Sequence, residues 1–571
     1  MENRKKIKFK MMWQPNLVFL RHHFFERNTM ENLTEIFIFL AISASIIIFS
    51  AIANYKYIIK KISSSWGKYR FYEFSPPENE EFLNYSYYTL KKYSNSNTYI
   101  DDLTWNDLDM TKIFNKINTT YSSVGSAILY YRLRNLNPSK EDKEIFENIQ
   151  NYYSKYDKDR IKTQYNFYKL GKFENNKVLE FVDNAKSKKF YEVYLYIILG
   201  LLPIFILLGY FFISETFIAF LLPSLAINAG FSYYKKLNTE SDFNNINYII
   251  SVVKTAKKIS KFNLQITNKI KQNISKLNKL TKMILVAESH ASSSVDFLAY
   301  FLNKIFMTQL IFHKLALKEI SKNKTEIFDL WKNLGDVESG IAILNFKNIV
   351  KDYCIPSFSK KYEVYGKNIY HPLIKNPIKN DVDWKENILI SGSNASGKST
   401  YVKSVAINII FSQTIYMALA SEFILKPENV LTSMAIKDNI DSGESYFIAE
   451  IKSLKRIMND IAINKSYYFI DEILKGTNTT ERIAASSSII EYFIDKNVLS
   501  FIATHDIELT QKFENKLVNL HFRESFTDNN NLIFDYKVHK GASKTKNAIK
   551  LLEIMNFPKE IVEHSKKEVL S

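Results

Sequence analysis

Residues 388–400 read Ile-Leu-Ile-Ser-Gly-Ser-Asn-Ala-Ser-Gly-Lys-Ser-Thr, a short apolar strand that runs into a glycine turn and then a helix pattern. The turn comprises Gly392, Ser393, Asn394, Ala395, Ser396, Gly397, Lys398, Ser399 and Thr400. Its glycines let the backbone curl so that N–H groups face a phosphate chain. Lys398 is placed to reach the β- and γ-phosphates, and the Ser399 hydroxyl to sit on Mg²⁺. The helix that follows points its positive end at the same anion. The chemistry predicted is binding and hydrolysis of a nucleoside triphosphate. Downstream, 467–472 read Tyr-Tyr-Phe-Ile-Asp-Glu, a buried strand ending in two carboxylates. Adjacent acids there are costly unless a metal or ligand neutralises them. Asp471 is the expected metal ligand and Glu472 the group that polarises the attacking water. A third strand, 498–505, ends in His505, placed to sense the γ-phosphate or steady that water. Ser442, Gly443 and Ser445 precede a helix pattern, which suits an anion.

The order of these motifs resembles the MutS ATPases of DNA mismatch repair. The loop with Asn394 inside it is similar to that family's Gly-Pro-Asn-Met-Gly-Gly-Lys-Ser-Thr. Asp471-Glu472-Ile473-Leu474-Lys475-Gly476-Thr477-Asn478-Thr479 resembles its Asp-Glu-Ile-Gly-Arg-Gly-Thr-Ser-Thr, with Leu474 in place of a glycine. Ala503-Thr504-His505 followed by Glu508-Leu509-Thr510 resembles Ala-Thr-His-Tyr-x-Glu-Leu-Thr, and Tyr370-His371-Pro372 the Arg-His-Pro near the adenine. Gly541-Ala542-Ser543 and a helix from Thr545 to Asn556 resemble the C-terminal dimer-forming helices. The resemblance covers roughly 360–571 and implies an ABC-type α/β P-loop ATPase domain using ATP and Mg²⁺. It also implies a homodimer with composite sites, His371 at the base and Ser445 acting in trans on the other chain's γ-phosphate.

The elements that must position these residues divide the chain into seven parts: a tail (1–35), a first apolar span (36–54), a helical core and lever region (55–192), an apolar hairpin (193–234), a second lever and core region (235–350), the ATPase domain (351–540) and dimerisation helices (541–571). Residues 36–53 carry no charge, and 193–213 and 217–234 flank a turn at Ser214-Glu215-Thr216. A soluble core helix is rarely apolar on all faces for so long, so transmembrane segments are expected. Lys186, Lys188 and Lys189 before the hairpin, and Lys235 and Lys236 after it, place both ends in the cytoplasm. Lys56, Lys60, Lys61, Lys68 and Arg70 place the first span N-out, C-in. The basic residues among the first ten conflict with that, unless translation starts at Met30. A multi-pass protein of the cell membrane with a cytoplasmic ATPase domain is expected.

The single cysteine, Cys354, excludes an internal disulfide. The net charge of +18 invites a nucleic-acid reading, and nine lysines without an acid lie between Phe243 and Ala287. Anionic lipid is the favoured partner of that stretch, DNA the alternative. Asp101-Asp102-Leu103-Thr104-Trp105-Asn106-Asp107-Leu108 opens a patterned helical region, and Thr119–Arg134 resembles the family's core domain. Long helices over 140–190 and 236–330 are expected as levers, with the apolar hairpin where the family carries its DNA clamp. The family's mismatch-reading domain and a nuclease module are expected to be absent, and the Phe71-Tyr72-Glu73 match to chance. The expected function is a membrane-anchored MutS-like ATPase that drives lever motion, the alternative a membrane-tethered, ATP-gated DNA clamp of mismatch repair or recombination type.

Overall fold

Apolar runs rich in Ile, Tyr and Phe, punctuated by glycine turns, favour buried strands in the C-terminal part of the chain, and helical spacing favours a bundle ahead of it. The computed structural model describes residues 29–69, 78–94, 96, 98–136, 138–173, 177–186, 190–237, 239–282, 302–392, 396–434, 446–526, 532–542, 549, 552–553, 555 and 557–570.

The strands are β1 (Ser357–Phe358), β2 (Val364–Ile369), β3 (Asn380–Trp384), β4 (Ile388–Ser391), β5 (Glu422–Leu425), β6 (Asn429–Ser433), β7 (Ser466–Asp471), β8 (Leu499–Thr504), β9 (Val518–Phe526) and β10 (Leu532–Lys540). They form a four-stranded sheet, order β1-β5-β2-β3, and a six-stranded sheet, order β10-β9-β4-β8-β7-β6. In the larger sheet β9, β4, β8, β7 and β6 run parallel, and β10 closes one edge antiparallel. Parallel strands need helical crossovers on their faces, which is why β4 and β8 are buried throughout. Helices Tyr446–Ile461 and Thr479–Asp495 send Leu454, Ile457, Ile490 and Phe493 into one core with Tyr468, Ile470 and Ile502 of the sheet.

In the helical region, Ser123–Arg134 is buried along its length, and it crosses Lys324–Val350 closely. A Cβ on Gly335 would stand 2.1 Å from Ile128 Cγ1, and one on Gly125 2.2 Å from Glu338 Oε2. The Glu338 carboxylate accepts from the N–H groups of Tyr121 (2.6 Å) and Ser122 (3.1 Å) and from the Ser122 hydroxyl. Burial nevertheless pushes its carboxyl up to about 7. Gly125-Ser126 lies in the first turn of this helix.

The long levers expected over 140–190 and 236–330 are broken instead. The first segment folds as Lys140–Lys155, Asp157–Leu170 and Val178–Asn184, interrupted at Tyr156 (φ −115°, ψ 75°) and at Gly171 (φ 70°). The second folds as Glu240–Ile259, Thr267–Lys276, Asn278–Lys282 and Thr308–Lys322. Among the nine lysines of 243–287, Lys269 pairs with Glu141 (2.7 Å), Lys276 with Glu326 (3.1 Å) and Lys279 with Glu319 (3.7 Å).

The apolar hairpin consists of helix Glu192–Phe212, a Ser214-capped turn, a 3₁₀ stretch Glu215–Phe220 and helix Leu221–Leu237. Its base is tied to the chain: Asn228 Nδ2 donates to Leu199 O (2.7 Å) and Ile305 O (2.9 Å), and Gly200 lies where a Cβ would meet Phe306 O at 2.3 Å. Phe211, Phe212 and Leu222 are exposed. In the N-terminal unit the described residues include one helix, Thr29–Ser65, longer on both sides than the expected 36–54 because polar flanks continue the helix beyond the apolar stretch. Among the described residues three helices are long and apolar enough to cross a membrane: Ala41–Ser65, Glu192–Phe212 and Glu215–Lys235. Cys354 makes an isolated antiparallel bridge with Ala418, two 2.9 Å hydrogen bonds, and burial pushes its thiol up to about 11.

Of the dimerisation helices anticipated over 541–571, residues 543–548, 550–551, 554, 556 and 571 lie outside the described residues; Lys559–Leu570 is a helix. The tail before Thr29, Phe71-Tyr72-Glu73 and Ser442, Gly443 and Ser445 also lie outside them.

Candidate active site

The strand entering the glycine turn is the third of the larger sheet, between β9 and β8. Gly392 (φ 141°) and Gly397 (φ 100°) adopt backbone that side-chain-bearing residues rarely take. A Cβ on Gly392 would also lie 3.0 Å from Ser396 Oγ and 3.3 Å from Phe522 O. Gly397 is the N-cap of helix Lys398–Thr414. Lys398 is buried, and its Nζ donates to Gly392 O at 2.5 Å, so the ammonium lies inside the curl. Ser399 is half-buried and Thr400 exposed on the first helical turn. Ser393, Asn394 and Ala395 lie outside the described residues. A cation inside the turn, helix N–H groups at its mouth and no side chain at the two glycines suit a polyphosphate.

Strand register brings the acids to the same edge. Asp471 of β7 stands opposite Ala503 of β8, which stands opposite Ile390 of β4. The carboxyl ends of parallel strands therefore align, the place where open α/β sheets bind ligands. Glu472 leaves the strand in a left-handed conformation (φ 65°), with its N–H donating to Ala503 O at 2.9 Å. Its carboxylate is buried, with Oε1 3.2 Å from His505 Nδ1 and Oε2 2.8 Å from Lys475 Nζ. The hydrogen bond from His505, then Lys475, outweigh burial and hold the carboxyl down at about 2. Reciprocally, Glu472 raises the His505 imidazole above its ordinary value. Asp506 beside it receives a fork from Arg482, Nε to Oδ2 at 3.0 Å and Nη2 to Oδ1 at 2.6 Å. Among the described residues no three His, Cys, Asp or Glu cluster to cage a metal. A hydroxyl and one carboxylate on facing elements, Ser399 and Asp471, are the donor set a magnesium ion takes when phosphates complete its shell.

The turn after Glu472 is strained. Leu474 also has positive φ (56°), at the position where the resembled motif has glycine, and its side chain packs on the sheet core. Glu450, buried in helix Tyr446–Ile461, accepts the Lys475 N–H at 2.9 Å and so ties that helix to the same turn.

A cavity of about 350 Å³ opens beside the turn, lined by His371, Ile378, Gly397, Thr400, Phe522 and Tyr536 among others. Burial above all, and Lys403, lower His371 to about 4, so the ring is neutral. Its Nδ1 accepts the Leu373 N–H at 3.2 Å, which leaves the proton on Nε2. Tyr536 sits in a bulge of β10 (φ 51°) that Asn380 clamps: Nδ2 donates to Tyr536 O and Oδ1 accepts from Val538 N–H, both at 2.9 Å. That bulge carries the Tyr536 ring to 3.1 Å from where a Gly397 Cβ would be.

A strand, a glycine turn and a helix at the middle of a mostly parallel sheet, with acids on the next strand ends, make an α/β domain of the ATPase type. Residues 388–571 match the family model for MutS domain V. Over that stretch the chain is similar to MutS proteins. It is 31% identical over 262 residues to a DNA mismatch repair protein MutS of Fusobacterium nucleatum, covering 43% of this chain and 29% of that protein. It is 28% identical over 269 residues to MutS of Clostridium kluyveri, 44% and 30%. With MutS protein homolog 4 of Homo sapiens it shares 30% identity over 275 residues, 45% and 29%. The match thus spans under a third of the length of each of these relatives.

Of the sequence-predicted residues, the structure brings Gly392, Ser396, Gly397, Lys398, Ser399, Thr400, Asp471, Glu472, His505 and His371 to one edge of the fold. Ser445 is not among the described residues, although the helix after it begins at Tyr446 as expected. Lys475, Glu450, Arg482, Phe522, Asn380 and Tyr536 were not picked out. The last three reach the pocket only through sheet register and a bulge, which leave no local spacing signal.

Proposed function

We propose that the chain is a membrane-anchored MutS-like ATPase that hydrolyses ATP in composite sites of a homodimer and so moves its cytoplasmic helical region. The observation that carries this reading is the Glu472–His505 contact at the strand ends beside the glycine turn. A buried carboxylate kept ionised by an imidazole is a base available at neutral pH. Gly392–Thr400 bind the phosphate chain, with Lys398 compensating its charge. The base enters the cavity between Ile378, Tyr536 and the neutral His371. Ser399 and Asp471 would hold Mg²⁺, which would supply compensation for charge on the transferred phosphoryl group. Glu472 takes the proton of the attacking water, and His505 holds that carboxylate in place. Ser445 of each chain serves the site of the other.

Three apolar helices with mostly exposed faces support insertion in a bilayer, for such surface in water is unfavourable by ~25 cal/mol per Å². Flanking lysines favour a cytoplasmic ATPase domain. The hairpin stands, in chain order, where relatives of this fold would carry a DNA clamp, so the motion acts on the bilayer or a membrane partner. The internal pairing of Lys269, Lys276 and Lys279 weakens the DNA alternative, since those charges are already matched.

The test is ATPase activity of the detergent-purified protein with and without duplex, single-stranded and branched DNA, with Glu472→Gln as the blank. Activity indifferent to DNA is expected. Stimulation by DNA that disappears at high salt would replace the proposal with a membrane-tethered DNA clamp. No activity above the blank would refute the enzyme reading.

A further inference from the structure

Asp506 stands where the resembled motif has tyrosine, and its carboxylate is not used as its position suggests. It is the N-cap of helix Ile507–Lys512, where an acid normally accepts from the free N–H groups of the first turn. No such bond forms here. Both carboxylate oxygens accept from Arg482 instead, and the Asp506 N–H is donated to Thr504 Oγ1 at 3.0 Å. Arg482 is out of place by the same standard. It is the fourth residue of helix Thr479–Asp495, near the positive end of the helix dipole, where a cation is disfavoured. Only 6% of the Asp506 side chain and 12% of the Arg482 side chain are exposed, so each charge depends on the other. A buried pair adds little net stability over an apolar one, but a bidentate fork fixes geometry.

What the fork faces is the imidazole of His505. Its Nδ1 lies 3.2 Å from Glu472 Oε1, and its Nε2 lies 3.7 Å from Asp506 Oδ1. The ring therefore has a carboxylate at each nitrogen. At 3.7 Å Asp506 acts as a fixed charge rather than as a hydrogen-bond acceptor. The His505 side chain is 43% exposed, and among the described residues Glu472 and Asp506 are the groups that pair with it. An exposed ring with one partner turns easily into solvent. With an acid at both nitrogens, the doubly protonated ring in this one orientation is favoured, since only that form presents a proton to each side.

We propose that Asp506, clamped by Arg482, is a positioning residue that holds the His505 imidazole with Nδ1 on Glu472. Arg482, Asp506, His505 and Glu472 form a chain of alternating charge that ends on the carboxylate assigned to the attacking water. Arg482 keeps the Asp506 carboxylate from swinging back to the helix N–H groups, and Asp506 acts on the site through the ring. The consequence for turnover rests on the ATPase reading above; the hold on the ring does not.

Two readouts on the full chain in detergent test this. The first needs no turnover: carbethoxylation of His505 by diethyl pyrocarbonate at neutral pH, followed by mass spectrometry, with His539 as the internal standard. The reagent attacks a neutral imidazole nitrogen. Asp506→Asn keeps the shape and removes the charge, and is expected to speed modification of His505 by about fivefold or more. The second is a double-variant cycle in phosphate release, with single turnovers for the slow variants. Asp506→Asn is expected to lower kcat about tenfold and to leave KM for ATP within about twofold. Made in a His505→Asn chain, the same substitution is expected to change kcat by less than about twofold, because the residue it acts through is gone. Arg482→Gln, which frees Asp506 to turn away, is expected to repeat both results and takes over should Asp506→Asn fail to fold. Modification of His505 unchanged by these substitutions, or an equal loss of kcat with and without His505, would overturn the inference. Wild-type turnover no higher than that of Glu472→Gln would refute the ATPase reading, and the modification rates would still decide the hold on the ring.

Discussion

The charge state of Glu472 offers the sharpest test of the site. Its carboxyl is held at about 2 against an ordinary 4.5, a difference worth ~3 kcal/mol at ~1.4 kcal/mol per unit. The His505 hydrogen bond is the largest cause, the Lys475 hydrogen bond acts in the same direction, and burial works against both. Lys475 is half exposed at 2.8 Å, so solvent screening weakens its part. The sign follows from the direction. A depressed carboxyl is ionised, and contributes its full stability, above 4.5; both are lost only as pH falls toward 2. Wild-type turnover therefore shows no acid limb from Glu472 in any range where the protein survives. In Lys475→Met and in His505→Asn the limb should move up. In the double variant burial acts alone, so the limb should stand above 4.5. The assay is phosphate release between pH 4.5 and 8, each variant normalised to its own plateau. A double variant with no limb in that range would refute the assignment of Glu472 as the base.

Three further outcomes follow from the geometry. Gly125→Ala drives a methyl into Glu338 Oε2 and breaks charge-assisted hydrogen bonds, each worth ~1.5–3 kcal/mol; a thermal melt should show loss of the folded helical region. Leu474→Gly removes left-handed strain of ~1–2 kcal/mol and loses a similar amount of apolar packing, so the melting temperature should change little while the turn gains freedom; a clear loss of stability would show the strain is small. Tyr536→Ala takes the ring from the base cavity and should raise KM for ATP by about tenfold, with a smaller change in KM for inorganic triphosphate.

Legibility in the sequence followed locality. The strand, turn and helix of 388–414 lie within one short run, so spacing alone identified them. Asp471-Glu472 and His505 each end an apolar strand, and only their mutual 3.2 Å contact needed the fold. The hairpin was legible because apolar length is a one-dimensional property. What escaped depends on long-range register: Tyr536 enters the pocket through a bulge that Asn380 clamps from 156 residues away. Asp107 meets Thr432 across 325 residues, and nothing in either segment announces the other. The expectation of long helices failed because helical spacing does not reveal breaks such as Tyr156, where no proline marks the end of the helix.

Cys354 has a practical consequence. With its thiol pushed from 9.0 to about 11, the thiolate fraction at neutral pH falls about a hundredfold, and alkylation slows with it. The only native sulfhydryl is thus nearly silent to maleimide reagents. Reporter cysteines placed at Glu215 or Lys235 can be labelled on the natural background, and impermeant reagents applied to intact cells would then test the proposed insertion in a bilayer.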